Sequence, residues 1–311
     1  MCWIADQQNH LIFLVFFSIC ITLFDWLPAS AIGDIQPVNL RCEYRTNPLG
    51  IDRTQPRLSW TFSSNNLNER NQSQSAYQIL VADSPEALQA DRGTLWDSGK
   101  VQSDESLHII YQGIPLKSRM QCWWKVKVWD DKGNSSIWSE VATWEMGLLE
   151  RSDWQGDWIG DELPLPPGKP SLRAPRYLRR VFNLEEKSIR RATIYVSALG
   201  LYELSINGEK VGSDLFTPGW SYYPKRVYYN TYDVTGLLTQ GANVMGAILS
   251  DGWYCGYLEK RMRRNWYGEH PRLLVQLHVD YADGTARTVV SGRTWKTTTG
   301  PILESDFYMG E

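Results

Sequence analysis

Short apolar runs that alternate with polar positions recur along most of the chain, and their period of two is that of strands with one buried face. In the first half they are VNLRCEY (38–44), RLSWTF (57–62), YQILVA (77–82), LHIIYQG (107–113), CWWKVKVW (122–129) and WSEVATWEM (138–146). Six such runs within about 110 residues, divided by turn signals, predict an antiparallel β-sandwich over 38–148. Ser84 followed by Pro85 predicts one capped turn of helix, and Asp130–Asn134 a turn between the last two strands. A second set follows from Arg176: YLRRVFNL (177–184), ATIYVSALGLYELSING (192–208), KRVYYNTYDV (225–234), NVMGAILSDGW (243–253), RLLVQLHVDYADG (272–284) and TVVSGRTWKTT (288–298). Asn207-Gly208 and Asp283-Gly284 supply hairpin turns, since both dipeptides tolerate positive φ. Strand count and spacing predict a jelly-roll sandwich over 176–311, so the expected fold class is all-β throughout.

Between the two sets, residues 149–175 contain SDWQGDWIGDELPLPPGKPSLRAP, whose five Pro and three Gly exclude a regular element and predict a linker. Trp154 and Trp158 are expected to pin this strap to a neighbouring domain. Ahead of everything stands the uncharged run Leu11–Phe24, followed by Ala29-Ser30-Ala31. About 14 apolar residues fall short of the roughly 20 that span a bilayer, so residues 1–31 read as a secretory signal peptide cleaved after Ala31. The expected location is secreted or periplasmic, with no membrane attachment after cleavage.

Composition narrows the function. The 32 Lys and Arg against 35 Asp and Glu give a net charge of -3, without the basic field that a nucleic-acid partner requires. The 15 Trp and 16 Tyr beside only 8 Phe favour faces that stack on flat, partly polar ligands such as sugars. The mature chain keeps Cys42, Cys122 and Cys255, an odd number without metal-ligand spacing; Cys42 and Cys122 either pair or are small core residues. His10, His108, His270 and His278 form no zinc motif, and His108 and His278 fall on expected strands.

The candidate chemistry gathers on one loop system. In Asp251-Gly252-Trp253-Tyr254-Cys255-Gly256-Tyr257, glycines flank aromatic rings at a strand end, and Asn265-Trp266-Tyr267-Gly268 follows. Trp253 and Tyr254 either offer a platform to the apolar face of a sugar or plug the end of the sandwich as core. Lys260, Arg261, Arg263 and Arg264 on the same loop would suit acidic polysaccharides. Asp251 with Glu259 or Glu269 makes a nominal carboxylate pair, but surface acids offer such pairs by chance, so no catalytic residue is assigned.

Trp60, Trp123-Trp124 and Ser136-Ile137-Trp138-Ser139 together make the first domain resemble a fibronectin type III domain. Arg41-Cys42-Glu43-Tyr44-Arg45-Thr46-Asn47-Pro48-Leu49-Gly50-Ile51-Asp52, with Pro56-Arg57-Leu58-Ser59-Trp60, resembles the opening of bacterial α-L-rhamnosidases of the inverting, (α/α)6-barrel family. Ser197–Gly208, Pro218-Gly219-Trp220, Tyr232-Asp233-Val234-Thr235 and Asp251-Gly252-Trp253-Tyr254 resemble the accessory jelly-roll domain of the same family. The resemblance implies an exported N-terminal portion of an α-L-rhamnosidase whose partners are rhamnose-containing glycans or glycosides and a missing C-terminal catalytic domain. The chain alone is then expected to be inactive. It further implies a sugar site at Trp253, Tyr254, Asp251, Asp214 and Asn265, with calcium held by Ser213, Asp214, Asn265 and Pro271. Asp214 and Asn265 carry oxygens of the kind calcium prefers. A free-standing secreted rhamnose-binding lectin and a non-binding structural fragment are the alternatives.

Overall fold

The structure is a computed structural model that describes residues 33–64, 70–161, 173–258 and 263–308. The expected signal peptide therefore lies outside the described residues, as do Glu259, Lys260 and Arg261. Among the described residues no helix is long and apolar enough to cross a membrane.

The first domain is a sandwich of two antiparallel sheets. One is β1 (Ile35–Cys42), β2 (Arg57–Ser64) and β6 (Ile109–Ile110), in the order β1-β2-β6. The other runs β4-β3-β7-β8, built from β3 (Gln74–Ala82), β4 (Trp96–Asp97), β7 (Gln121–Asp130) and β8 (Ala142–Glu145), with β5 (Val101–Gln102) also paired to β3. Alternate residues of β2, β3 and β7 meet between the sheets, so Leu58, Trp60, Ile79, Val81, Cys122, Trp124, Val126 and Val128 form the core. Burying Trp60 leaves its indole N–H needing an acceptor; it donates to Gln74 Oε1 at 3.1 Å, and the Gln74 amide donates onward to the Ser103 and Glu105 carbonyls. Ser84 caps α1 (Pro85–Gln89) by accepting from the Ala87 N–H at 3.3 Å. Cys42, Cys122 and Cys255 are all free and buried, and burial pushes the Cys122 thiol up to about 12.

Two expected strands are much shorter than their apolar runs. Of 107–113 only Ile109–Ile110 pairs, because Tyr111 leaves the sheet to plug the core, its hydroxyl within hydrogen-bonding distance of the Leu95 and Ile114 carbonyls. His108 lies outside that strand at φ 58°, its ring edge-on to Tyr44. Of 138–146 only Ala142–Glu145 forms a strand, with Met146 adding an isolated parallel bridge to Ile51. Upstream, the Ser136 and Ser139 N–H groups donate to the Val128 and Val126 carbonyls at 2.8 and 2.9 Å, while their hydroxyls accept the Val128 and Val126 N–H groups at 3.0 and 3.1 Å, so side chains take over half of the backbone ladder there.

The second domain stacks a four-stranded sheet on a five-stranded one. The first has the order β13-β10-β15-β16, from β10 (Ile189–Leu199), β13 (Tyr229–Asp233), β15 (Arg272–Tyr281) and β16 (Ala286–Val290). The second has the order β12-β11-β14-β9-β17, from β9 (Arg176–Leu184), β11 (Leu201–Ile206), β12 (Glu209–Lys210), β14 (Gly241–Ser250) and β17 (Lys296–Thr299). The continuous apolar run 192–208 breaks at Gly200, where φ is 130° and a Cβ would stand 2.3 Å from the Ser250 carbonyl oxygen. Only glycine fits, and the chain crosses there from one sheet to the other. Ile194, Val196 and Ala198 then face Leu204, Ile206, Met245 and Leu249 across the core.

The two domains are docked through the outer face of β10 and β15. Arg191 binds the buried Glu145 of the first domain at 2.5 Å and Asp280 at 3.1 Å, and Arg119 of the first domain reaches Asp280 at 3.2 Å. Tyr229 accepts the Leu148 N–H through its hydroxyl at 3.0 Å. Trp154 of the linker packs edge-on against Tyr195 and Tyr229, with ring centroids 6.5 and 5.5 Å away. The outer face of the five-stranded sheet is on the opposite side of the domain.

Candidate functional site

The loop system singled out in the sequence is held together from below. After β14 the chain makes a single helical turn, α2 (Gly252–Cys255), and Asp251 at its start is buried. The Asp251 carboxylate binds Arg264, lies 3.7 Å from Arg173 and stands 3.3 Å from Cys255 Sγ. It thus ties the end of the linker, the helical turn and the 263–271 loop into one knot. The sequence placed Asp251 at a sugar-contacting position; in the fold it is 2% exposed and its oxygens are already engaged. Burying a carboxylate between two guanidinium groups makes it a structural anchor rather than a free acid.

Trp253 and Tyr254, expected as either platform or core, part company. Tyr254 packs edge-on against Tyr223 at 5.1 Å, and a Cβ on Gly268 would stand 2.3 Å from its hydroxyl. Tyr223 in turn meets Tyr267 at 5.0 Å, so Tyr254 belongs to a local aromatic packing cluster. Trp253 is half-buried and lies parallel to Trp220, with centroids 6.1 Å apart and planes 5° off. Phe307 at 4.7 Å and Phe216 at 6.3 Å close the cluster. Trp220 is 52% exposed and offers the freer ring. Sequence reasoning used Trp220 only as a motif residue and did not place Phe216 or Phe307 here. For Trp220 and Phe216 the sole signal is the density of aromatics in the 215–223 stretch; Phe307 lies outside it, and the partners stand about 30 to 90 positions apart.

Ser213, Asp214 and Asn265 are exposed, whereas Pro271 is buried beside Gly200. Asp214 accepts from the Tyr232 hydroxyl at 3.0 Å and borders a groove of about 700 Å3 between the domains. Glu43, Arg53, Arg226 and Asn230 share that groove; neither Asn265 nor Pro271 lines it. Asn265 is exposed and sits at φ 58°, with its backbone N–H donated to the Cys255 carbonyl at 3.2 Å. Among the described residues no group of three or more His, Cys, Asp or Glu side chains is gathered as a metal site.

Beneath the interface His278 lies 2.8 Å from the Gln276 amide nitrogen and 3.2 Å from Thr288 Oγ1. Burial, with Arg119 and Arg191 nearby, pushes its imidazole down to about 4. It is a neutral packing residue of the docked face.

Architecture and loops define a tandem of an immunoglobulin-like and a jelly-roll β-sandwich, docked by buried charge and carrying an aromatic loop face. Residues 37–150 match the Rha78A-like N-terminal immunoglobulin domain, and residues 187–311 match the α-L-rhamnosidase N-terminal domain. An α-L-rhamnosidase from Alteromonas sp. (strain LOR) is 39% identical over 288 residues, covering 91% of this chain and 31% of the relative. One from Formosa agariphila is 41% identical over 271 residues, covering 85% and 29% respectively. The structure of Streptomyces avermitilis α-L-rhamnosidase complexed with L-rhamnose matches with a TM-score of 0.83 at 28% identity, over 89% of this chain and 42% of that one. Native α-L-rhamnosidase from Aspergillus terreus gives 0.78 at 33% identity, over 89% and 31%. The chain belongs to the N-terminal domains of the α-L-rhamnosidase family, and spans about a third of the length of the curated relatives it matches.

Proposed function

We propose that this chain is the exported N-terminal portion of an α-L-rhamnosidase, an enzyme that removes terminal α-L-rhamnose from glycans or glycosides. In this reading its two domains hold the sugar near the active site and do not hydrolyse it themselves. The observation that carries it is the continuous match of 91% of the chain to one end of curated α-L-rhamnosidases. Inverting hydrolysis needs two carboxyl groups roughly 6.5 to 9.5 Å apart, one protonated and one ionised. Asp251, the acid placed under the aromatic loops, is 2% exposed and bound by Arg264, so it does not face a bound sugar.

For binding, the methyl group and apolar face of a 6-deoxy sugar gain from contact with Trp220 and Trp253. Its hydroxyls need polar partners, which Asp214 and Asn265 can offer. Calcium takes about six to eight oxygens, and Ser213, Asp214, Asn265 and Pro271 provide one carboxylate among neutral groups. Because Pro271 is buried and neither it nor Asn265 lines the groove that Asp214 borders, an ion held at Ser213 and Asp214 would need sugar hydroxyls to complete its shell and would bind together with the ligand.

The test is made on the purified chain. An aryl α-L-rhamnoside should release no rhamnose above a buffer blank, and calorimetry should show L-rhamnose binding with Kd on the order of 0.1 to 1 mM, as expected for a shallow site. Mass spectrometry of secreted material should find Ile32 as the first residue. Turnover that survives repurification, or the absence of any rhamnose binding, would overturn the reading.

A further inference from the structure

The outer face of the sheet β12-β11-β14-β9-β17 carries a trench of about 530 Å3 that the loop system does not share. Its shape follows from register. One row across the sheet aligns Ser205, Gly246, Arg179 and Lys296, and the next aligns Glu203, Ile248, Tyr177 and Thr298. Gly246 lies in the interior of β14, where glycine weakens a strand and often marks close approach of a ligand. A Cβ there would stand 3.1 Å from Ser205 Oγ, so the absent side chain is what opens the floor. Tyr177 stands one row away, its ring backed by Gly300, where a Cβ would come within 2.2 Å of the ring.

The charges on this face do not cancel. Lys210 and Glu203 are paired at 3.0 Å. Arg179 lines the trench, and Lys296, which lines the neighbouring groove, sits directly opposite it on β17; both are exposed, and neither has an ion-pair partner among the described residues. Like charges directly opposite on a sheet repel and destabilise it. A ligand bearing an anionic group would relieve that repulsion, and a guanidinium fork beside an ammonium matches a carboxylate in particular.

We propose that this trench binds a second carbohydrate element distinct from rhamnose: a pyranose carrying a carboxylate, stacked on Tyr177 over the floor of Gly246 and Ser205, with its acid group on Arg179 and Lys296. An acidic saccharide held here would keep a uronate-bearing polymer against the face of the domain opposite the interdomain contact. The site does not depend on the rhamnose reading, because it shares no residue with the loops of Trp220, Trp253 and Asp214.

The experiment titrates the isotopically labelled chain with oligogalacturonate and with neutral cello-oligosaccharide, following backbone amides by NMR. Oligogalacturonate should shift Tyr177, Arg179, Ser205, Gly246 and Thr298, and the effect should fade at high salt as screening weakens the ion pairs. Cello-oligosaccharide should shift them far less. The exposed double substitution Arg179→Gln with Lys296→Gln should weaken binding about tenfold or more, since it removes two charge-assisted contacts. Gly246→Thr should block the floor; the double variant decides the matter if Gly246→Thr fails to fold. L-rhamnose calorimetry on the double variant, unchanged from the parent chain, separates this site from the loop site. Equal response to both saccharides, shifts confined to other surfaces, or parent-like binding by the double variant would overturn the proposal.

Discussion

Arg191 of the second domain and Glu145 of the first meet at 2.5 Å in an interface where Glu145 is 2% exposed. Desolvation holds the Glu145 carboxyl above its usual range, while Arg191, Tyr195 and Arg119 oppose that rise. Arg191 also binds Asp280 of its own domain at 3.1 Å, whereas the ion pair of Glu145 is made across the interface. The burial of Glu145 is therefore tolerated because the other domain supplies its partner.

Arg191→Ala should therefore cost more than a surface pair would. Removing one member of a buried pair strands the other, at about 3 to 5 kcal/mol. Denaturant unfolding of parent and variant measures the difference. A loss below about 1 kcal/mol, the value of an exposed pair, would show that Glu145 finds water instead.

The docked face also makes stability depend on pH. His278 binds its proton more weakly folded than unfolded, with its imidazole down at about 4 against an ordinary value near 6.5. Above that ordinary value both states are neutral and nothing is lost. As pH falls from about 6.5 to about 4, the unfolded chain takes up a proton that the fold resists, and stability drops by on the order of 3 kcal/mol. Asp280, lowered although burial opposes it because Arg119 and Arg191 favour its charge, adds a loss of the same sign below its ordinary range; Glu145, raised, acts in the opposite sense. His278→Gln should flatten the melting temperature between pH 6.5 and 4 relative to the parent. Parallel curves would refute this.

Gly147 lies where the first domain meets Tyr229, and a Cβ there would stand 2.0 Å from the tyrosine hydroxyl. Gly147→Ala should push Tyr229 off Leu148 and loosen the domain contact, at about 1 to 3 kcal/mol for overpacking. Faster proteolysis within 149–175 would report the loosening. Unchanged cleavage and melting would mean that the ring shifts without disturbing the contact.

At the loop face, Trp220→Ala should remove rhamnose binding with little change in melting, because about half of that ring is already exposed. Trp253→Ala should remove binding and also cost about 2 kcal/mol, less than the 3 to 5 for a fully buried aromatic. Asp214→Asn should weaken binding, and a chelator should do the same if calcium bridges the hydroxyls. Calorimetry paired with a melt of each variant separates lost contact from lost fold. Parent-like binding by folded Trp220→Ala and Asp214→Asn together would place the sugar elsewhere.

Much of this was legible before folding. Alternation along 122–129 and 272–281 marked β7 and β15, and Asn207-Gly208 marked its hairpin, because these signals lie within a few residues of one another. The run 138–146 misled because Ser136 and Ser139 take over hydrogen bonds that alternation cannot report. Asp251 misled for a related reason: a carboxylate on a loop looks the same in sequence whether it faces water or two arginines.

By itself the sequence determined that the chain is all-β in two units, that clusters of aromatic rings stand at 253–257 and 266–267, and which family those motifs resemble. Periodicity and turn chemistry are local, so they survive without coordinates. Only the tertiary structure decided that Glu145 pairs with Arg191, that Trp220 lies parallel to Trp253, and that Arg179 stands opposite Lys296 on an open sheet. Each of those pairs joins residues dozens of positions apart, and their distance depends on strand order and register, which emerge only when the sheets close on their cores.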